Sequence, residues 1–281
     1  MNTVNQTFNW SRFTATLCKE VVENKRMLLF SVIGMYGLLT MIMILGNLIT
    51  HNSPELTESL SGRYPQIIIG MPLVFIVCVM ASMAFKDLKT KAGRTYLLTS
   101  PSSTLEKFLV NLLIYCVGAL VAYFACAQLA DLTRICVLWA FRSQNFLVAG
   151  PINYLTSISD LAKNSLELNE PIPMAITILW LGVIANCGFY LAGSVLWPRL
   201  SLLKTFAAIY AVEFGLFLII SPIFLFIGDW NAFAKLFYEF VMAGRFSFAV
   251  LIWSIFQVVV LFGMAWYLFK RKDVVSLKWW K

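Results

Sequence analysis

The chain has 281 residues, of which 60% are hydrophobic and 13% are charged, with a mean hydropathy of +0.78 and a formal net charge of +8. This composition is typical of a polytopic membrane protein and leaves no stretch for a sizeable soluble domain. The basic residues lie between apolar runs and form no basic face with stacking aromatics, so nucleic acid is excluded as a predicted partner.

The first element, residues 1–26, is predicted to be an interfacial elbow helix. Trp10, Phe13, Leu17 and Val21 recur at spacings of three and four residues, and the charged residues fall largely on the other side. The apolar run that follows is too long for the core of a cleavable signal peptide, so we expect it to remain as a membrane anchor.

Six apolar runs of 21 to 25 residues follow, each long enough to cross about 30 Å of hydrocarbon. They are 27–49, 65–85, 108–130, 173–197, 205–227 and 247–269. If the N-terminus is cytoplasmic, sixteen of the 22 basic residues lie on the inner side. Because basic residues favour the cytoplasmic side, we expect six transmembrane helices with both termini inside.

A basic loop, residues 86–107, separates the second and third runs and carries five Lys or Arg against two acids. Pro101 disfavours helix just before it, while Ser103 and Glu106 have the spacing of a capping box ahead of Phe108. A helix is therefore predicted to begin there. In the first half of the loop, Leu88, Ala92 and Tyr96 are spaced by four and predict a short amphipathic helix for a soluble partner. The alternative is an ordinary positive-inside loop.

Glu213 is the one charged residue well inside a predicted span. Because a carboxylate in hydrocarbon is costly, it is expected to be protonated, paired or next to a wet cavity. Asn186, Tyr190 and Gln257 could share that polar interior if their helices are neighbours. This set therefore predicts a translocation path or a proton-coupling site, and the alternative is a structural, hydrogen-bonded acid.

A second amphipathic element is predicted on the outer side, at 228–245, between the fifth and sixth spans. Its apolar residues follow the i, i+3, i+4, i+7, i+8 pattern of a helix with one wide face: Phe233, Leu236, Phe237, Phe240 and Val241. It is expected to lie at the outer interface or to dip into the membrane. The segment 131–172 is also predicted to be external and helical at first.

The chain carries no recognisable catalytic signature. A phosphate-binding loop, an H-E-x-x-H motif and a G-x-S-x-G elbow are all missing from the sequence. With six scattered cysteines and one histidine, neither a disulfide framework nor a metal site is predicted. We therefore expect a protein that is not an enzyme and that holds no cofactor itself.

The order of these elements resembles the membrane subunits of type-2 ABC exporters. Residues 100–108, Ser-Pro-Ser-Ser-Thr-Leu-Glu-Lys-Phe, look like that family's Leu-Pro-x-Ser-x-x-Glu-Lys/Tyr motif. Pro101, Ser103, Glu106 and Lys107 keep the pattern, and Ser100 stands where the family usually has leucine. The basic exit after Phe269 is also similar.

The resemblance implies a permease of the bacterial inner membrane that pairs with a second copy or a paralogue among membrane lipids. A separate ATPase subunit would bind the ATP and contact the loop through six residues: Leu88, Lys89, Lys91, Ala92, Arg94 and Tyr96. An amphipathic or lipid-like substrate suits the apolar interior. The alternatives are a proton-coupled secondary transporter using Glu213, or a non-transporting membrane scaffold.

Overall fold

The computed structural model of the chain describes residues 8–51, 64–140, 152, 172–226 and 245–274. Every regular element in these ranges is helical. Two short elements are not α-helical: a 3-10 turn, Lys86–Lys89, and a π-helical turn, Leu113–Gly118. The α-helices are α1 (Trp10–His51), α2 (Tyr64–Ser82), α3 (Lys91–Thr99), α4 (Thr104–Leu112), α5 (Ala119–Ala140), α6 (Ile172–Leu196), α7 (Ser201–Phe226) and α8 (Arg245–Val274).

Five helical stretches within the described ranges are long and apolar enough to cross a membrane, which indicates a multi-pass membrane protein. They correspond to α1, α4 with α5, α6, α7 and α8. The second predicted span, 65–85, corresponds to α2, a helix of 19 residues in which Gly70–Ser82 forms a shorter apolar stretch. Six spans are therefore not confirmed, and the second crossing stays a prediction.

The predicted separate elbow helix is not confirmed either, because α1 is one continuous helix of 42 residues. At 1.5 Å per residue it is about 63 Å long, twice the thickness of the hydrocarbon layer. At its start the rings of Phe8, Trp10 and Phe13 cluster, with centroids 5.5 to 6.2 Å apart. Phe13 is buried and Trp10 is 68% exposed, so the aromatic cluster has one buried and one open side.

The first part of the segment 131–172, which is predicted to be external, is helical, because α5 continues to Ala140. The amphipathic element predicted at 228–245 lies, except for its last residue, outside the described residues.

The chain divides into two compact units. The first comprises residues 1–80 and 99–161, and in it α1 packs against α4 and α5. Met35, Leu39 and Met43 form a buried stripe at four-residue spacing along α1. The buried face of α5 consists mainly of small side chains, which lets two helix backbones approach closely in the absence of a hydrophobic driving force between them: Ala119, Cys126, Ala127 and Ala130.

The second unit comprises residues 81–98 and 162–281, and in it α6 packs against both α7 and α8. Two glycines on α6 make these contacts close. A Cβ at Gly188 would lie 3.0 Å from the Cβ of Leu261 on α8, and one at Gly193 would collide with the side chain of Thr205 on α7. The two neighbours of α6 are therefore held at glycine positions on different sides of the helix.

Replacing Gly193 with alanine is expected to destabilise the α6–α7 pair by about 1–3 kcal/mol, because the added methyl group overpacks the contact with Thr205. The measurement is thermal unfolding of the purified chain in detergent. Gly182→Ala is the matched control on the same helix, since a Cβ there meets nothing within 4 Å. Equal melting temperatures for the two variants would contradict the close α6–α7 contact.

Candidate functional site in the basic loop

The basic segment, residues 86–98, has a specific local structure. The 3-10 turn Lys86–Lys89 ends at Thr90, whose backbone is extended, and α3 begins at Lys91. The Thr90 hydroxyl accepts a hydrogen bond of 3.0 Å from the backbone N–H of Gly93, which satisfies a free donor in the first turn of α3. A Cβ at Gly93 would collide with the carbonyl oxygen of Asp87, so the turn folds back onto α3 only because residue 93 is glycine.

This geometry corrects the predicted apolar stripe of one helix. Leu88 lies in the 3-10 turn and is buried, whereas Ala92 and Tyr96 lie on α3 and are exposed. The extended backbone at Thr90 breaks the helical register between Leu88 and Ala92. The surface that α3 offers to a partner is therefore Ala92 and Tyr96 without Leu88.

Of the other predicted contact residues, the Lys89 and Lys91 side chains are exposed, as an electrostatic contact requires. Arg94 is half-buried, and its Nε atom is buried without a hydrogen-bond acceptor among the described residues. The three cations therefore differ in how freely a partner could reach them.

The basic segment is anchored at its beginning to the last helix of the second unit. Phe85, directly before the 3-10 turn, packs against Phe269 near the end of α8, with ring centroids 4.7 Å apart and planes tilted by 34°. Both side chains are almost completely buried. Because the backbone N–H of Leu88 also bonds to the Phe85 carbonyl, the turn is fixed to this aromatic contact.

The second half of the loop confirms the predicted capping box. The Ser103 hydroxyl accepts from the backbone N–H of Glu106 at 3.2 Å, and the Glu106 carboxylate accepts from the backbone N–H of Ser103 at 2.9 Å. α4 begins at Thr104, and residues 100–103 are not helical, as Pro101 predicts. Lys107 is buried, so the motif residues Glu106 and Lys107 both belong to the interior.

Glu106 also receives two long-range donors that the sequence does not reveal. Its Oε1 atom accepts from the backbone N–H of Asn9 at 2.8 Å and from the Arg12 guanidinium at 2.9 Å. The Glu106 side chain is 0% exposed and that of Arg12 is 39% exposed. The carboxylate therefore ties the beginning of α1 to the beginning of α4 within the first unit, across more than 90 residues of sequence.

The predicted polar set lies in the second unit, but its members differ in environment. Tyr190 is buried, Asn186 and Gln257 are half-buried, and Glu213 is exposed on α7. The Asn186 amide donates to the carbonyl of Gly182 on its own helix, at 2.9 Å. α6 contacts both α7 and α8, and the shared polar interior of these four residues stays a prediction.

The structure also contains a buried ion pair that the sequence interpretation missed. Arg134 and Asp131, one turn apart on α5, are joined at 2.8 Å and both are at most 1% exposed. The second oxygen of Asp131 accepts from the backbone N–H of Ile152 at 2.9 Å. The sequence does carry a signal for this ion pair: an aspartate and an arginine stand three residues apart at the end of an apolar run, a spacing that brings two side chains together on a helix.

The described residues contain no group of three or more His, Cys, Asp or Glu side chains able to hold a metal ion. Comparison with protein-family models, with curated proteins and with solved structures gives no match for this chain. The basic loop presents a largely exposed helix with cations around it, held at its beginning by the buried contact between Phe85 and Phe269.

The Glu106 contacts are expected to act as a unit. Glu106→Gln removes the charge that holds Arg12 and should cost about 1–3 kcal/mol of unfolding free energy, because buried donors lose their charged acceptor. A double-mutant cycle with Arg12→Gln should give a non-additive coupling energy. Glu23→Gln, at an exposed position on α1, is the control. Strictly additive effects of the two substitutions would show that the Arg12 contact contributes nothing.

Gly93→Ala is expected to separate the 3-10 turn from α3, because the new methyl group overlaps the Asp87 carbonyl oxygen. Amide hydrogen exchange across residues 86–98 should become faster, while the rest of the chain exchanges as before. Gly70→Ala, where a Cβ meets nothing within 4 Å, should leave exchange in this segment unchanged. Unchanged exchange in Gly93→Ala would refute the packed turn.

Proposed function

We propose that this chain is the membrane-spanning permease subunit of an ATP-driven exporter of the type-2 ABC class. It works with a separate ATPase subunit that binds the nucleotide, and with a second permease copy or a paralogue. The distribution of basic residues supports an inner-membrane location with both termini in the cytoplasm. In that orientation the basic loop faces the compartment that contains ATP.

The observation that carries the proposal is the construction of the basic loop. α3 presents Ala92 and Tyr96 at four-residue spacing on an exposed, polar helix that lies outside the apolar runs. It is preceded by the Phe85–Phe269 contact and followed by the Glu106 capping box. An ordinary topogenic loop needs only its charges and has no use for a buried ring contact at its beginning.

Such a loop suits the transfer of force from a soluble subunit. The exposed pair Ala92 and Tyr96 supplies a small apolar contact, and Lys89 and Lys91 supply charge complementarity to an acidic surface. A displacement of α3 is passed to anchored helices because the segment is held at its beginning by a buried ring contact. The exporter therefore needs no catalytic residue of its own in this chain.

Ala92→Asp and Tyr96→Asp are expected to abolish copurification of an ATPase subunit and the ATP hydrolysis of the purified complex, because each places a carboxylate in the apolar part of the contact. Both positions are exposed, so membrane insertion should be retained. Ala15→Asp is the matched control, an exposed alanine of α1 given the same charge.

In the wild type, association with the ATPase subunit should also weaken as salt is raised from about 0.1 to 1 M, because screening shortens the range of the lysine charges. ATPase association that survives both substitutions would place the contact elsewhere. If wild-type chain copurifies with no ATPase and supports no ATP hydrolysis, the exporter proposal fails.

A proton-coupled secondary transporter is the second candidate, and the exposed carboxylate of Glu213 in the middle of α7 favours it. The two candidates separate by their energy source. Flux that requires a proton gradient, is lost in Glu213→Gln and proceeds without ATP would support the second candidate and exclude the first.

A further inference from the structure

α7 is an apolar helix that the other described residues leave largely uncovered. Its side chains are buried at Ser201 and Thr205, close to α6, and most of those from Phe206 to Ile219 are exposed. Glu213 lies among them, 12 residues after the start of a helix of 26 residues. The carboxylate is therefore about 18 Å from that end and equally far from the other, at the middle of the membrane layer that such a helix would cross.

The contact between α6 and α7 sets the level of Asn186 relative to Glu213. Gly193 and Thr205 touch near the short connection between the helices, which run in opposite directions from it. Asn186 lies seven residues from Gly193, and Glu213 lies eight residues from Thr205, both away from the connection. At 1.5 Å per residue these distances are about 10.5 and 12 Å, so the two polar groups lie at the same depth.

Asn186 is also on the side of α6 that faces α7. Seven residues make nearly two turns, so Asn186 is rotated by only about 20° from Gly193, the residue in contact with α7. The Asn186 side chain is half-buried, so part of it stays open to a ligand.

Gln257 on α8 lies at a similar depth but on the other side of α6. Gly188 meets Leu261, and Gln257 precedes Leu261 by four residues, or about 6 Å. Because Gly188 is rotated by about 160° from Asn186, α8 and its Gln257 lie on the side of α6 opposite to Asn186. We call the other two residues, Asn186 and Glu213, the mid-membrane polar level.

The charge of Glu213 identifies what the mid-membrane polar level could bind. The nearest basic residue on α7 is Lys204, nine residues or about 13.5 Å away, and Glu213 has no ion-pair partner within the described helices. An uncompensated carboxylate at mid-membrane is energetically costly, and pairing with a cationic ligand would offset that cost. Beside it, Tyr210, Phe214 and Phe217 expose aromatic rings to which an apolar cation can bind.

We propose that the mid-membrane polar level is a substrate site for amphipathic cations, with Glu213 pairing with the positive group and the amide of Asn186 bonding to a neighbouring polar atom of the substrate. The apolar body of the substrate would lie along the exposed aromatic face of α7. This proposal rests on the function proposed above, that the chain is a transporter, and adds the chemical class of its substrate.

Tetraphenylphosphonium and tetraphenylborate test the charge requirement, because they are alike in size and apolar surface and opposite in charge. Binding of each is measured by equilibrium dialysis to the full chain in phosphatidylcholine nanodiscs, and the uptake by empty nanodiscs of the same lipid is subtracted, because the membrane dipole potential favours hydrophobic anions. After this subtraction we expect the cation to bind and the anion not to bind. Glu213→Gln should weaken cation binding at least tenfold, whereas Glu23→Gln, an exposed carboxylate on α1, should not change it.

Asn186→Leu should weaken binding of a substrate cation that can donate hydrogen bonds, for which dodecylammonium is the probe, and should leave tetraphenylphosphonium binding unchanged. Gln257→Leu is the matched control, because Gln257 lies at a similar depth on the other side of α6. Size-exclusion chromatography of every variant in detergent verifies the fold. The proposal is overturned if Glu213→Gln binds tetraphenylphosphonium as the wild type does, if tetraphenylborate binds equally well, or if Glu213→Gln alters only the oligomeric mass, which would assign the carboxylate to a contact between copies.

These outcomes are independent of the ATPase. If the cation binds through Glu213 and no ATPase subunit ever copurifies, the exporter proposal fails and the substrate site stands. If an ATPase copurifies and cation binding ignores Glu213, the substrate site fails and the exporter proposal stands.

Discussion

The carboxylate of Glu106 is the contact on which the first unit depends. It closes the capping box of α4 through Ser103 and at the same time accepts from Asn9 and Arg12 at the beginning of α1. A fully buried carboxylate is stable only when its hydrogen bonds are made, and here donors come from two distant parts of the chain. The start of α1 therefore cannot move away from the start of α4 without leaving a buried charge unpaired.

Elsewhere the packing follows the rules of helices in lipid, where close contact takes the place of the hydrophobic effect. In the first unit, α5, whose buried face is rich in small residues, packs against α1. In the second unit, Gly188 and Gly193 bring α8 and α7 onto α6. Among the described residues α7 has little packing beyond this one contact, so most of its described apolar surface is available for lipid, substrate or a further copy of the chain.

The proposed functions use these two kinds of structure in different ways. The basic loop is suited to receive force because it is short, exposed and anchored by the buried rings of Phe85 and Phe269. The mid-membrane polar level is suited to bind a ligand because α7, which carries Glu213, contacts α6 near one end and is exposed along most of its described length. A transporter driven by another subunit requires a rigid segment that receives the force and an open surface that binds the substrate.

The sequence alone determined the helical membrane class, the restart of the chain at Ser103 and the positions of most membrane-crossing helices, because these follow from local hydrophobicity and capping chemistry. It misplaced Leu88, since four-residue spacing is the same whether or not an extended residue such as Thr90 interrupts the helix. It also could not find the Arg12–Glu106 contact, the Asp131 bond to Ile152 or the equal depth of Asn186 and Glu213. Those depend on which helices meet and at what register, and only tertiary packing decides that.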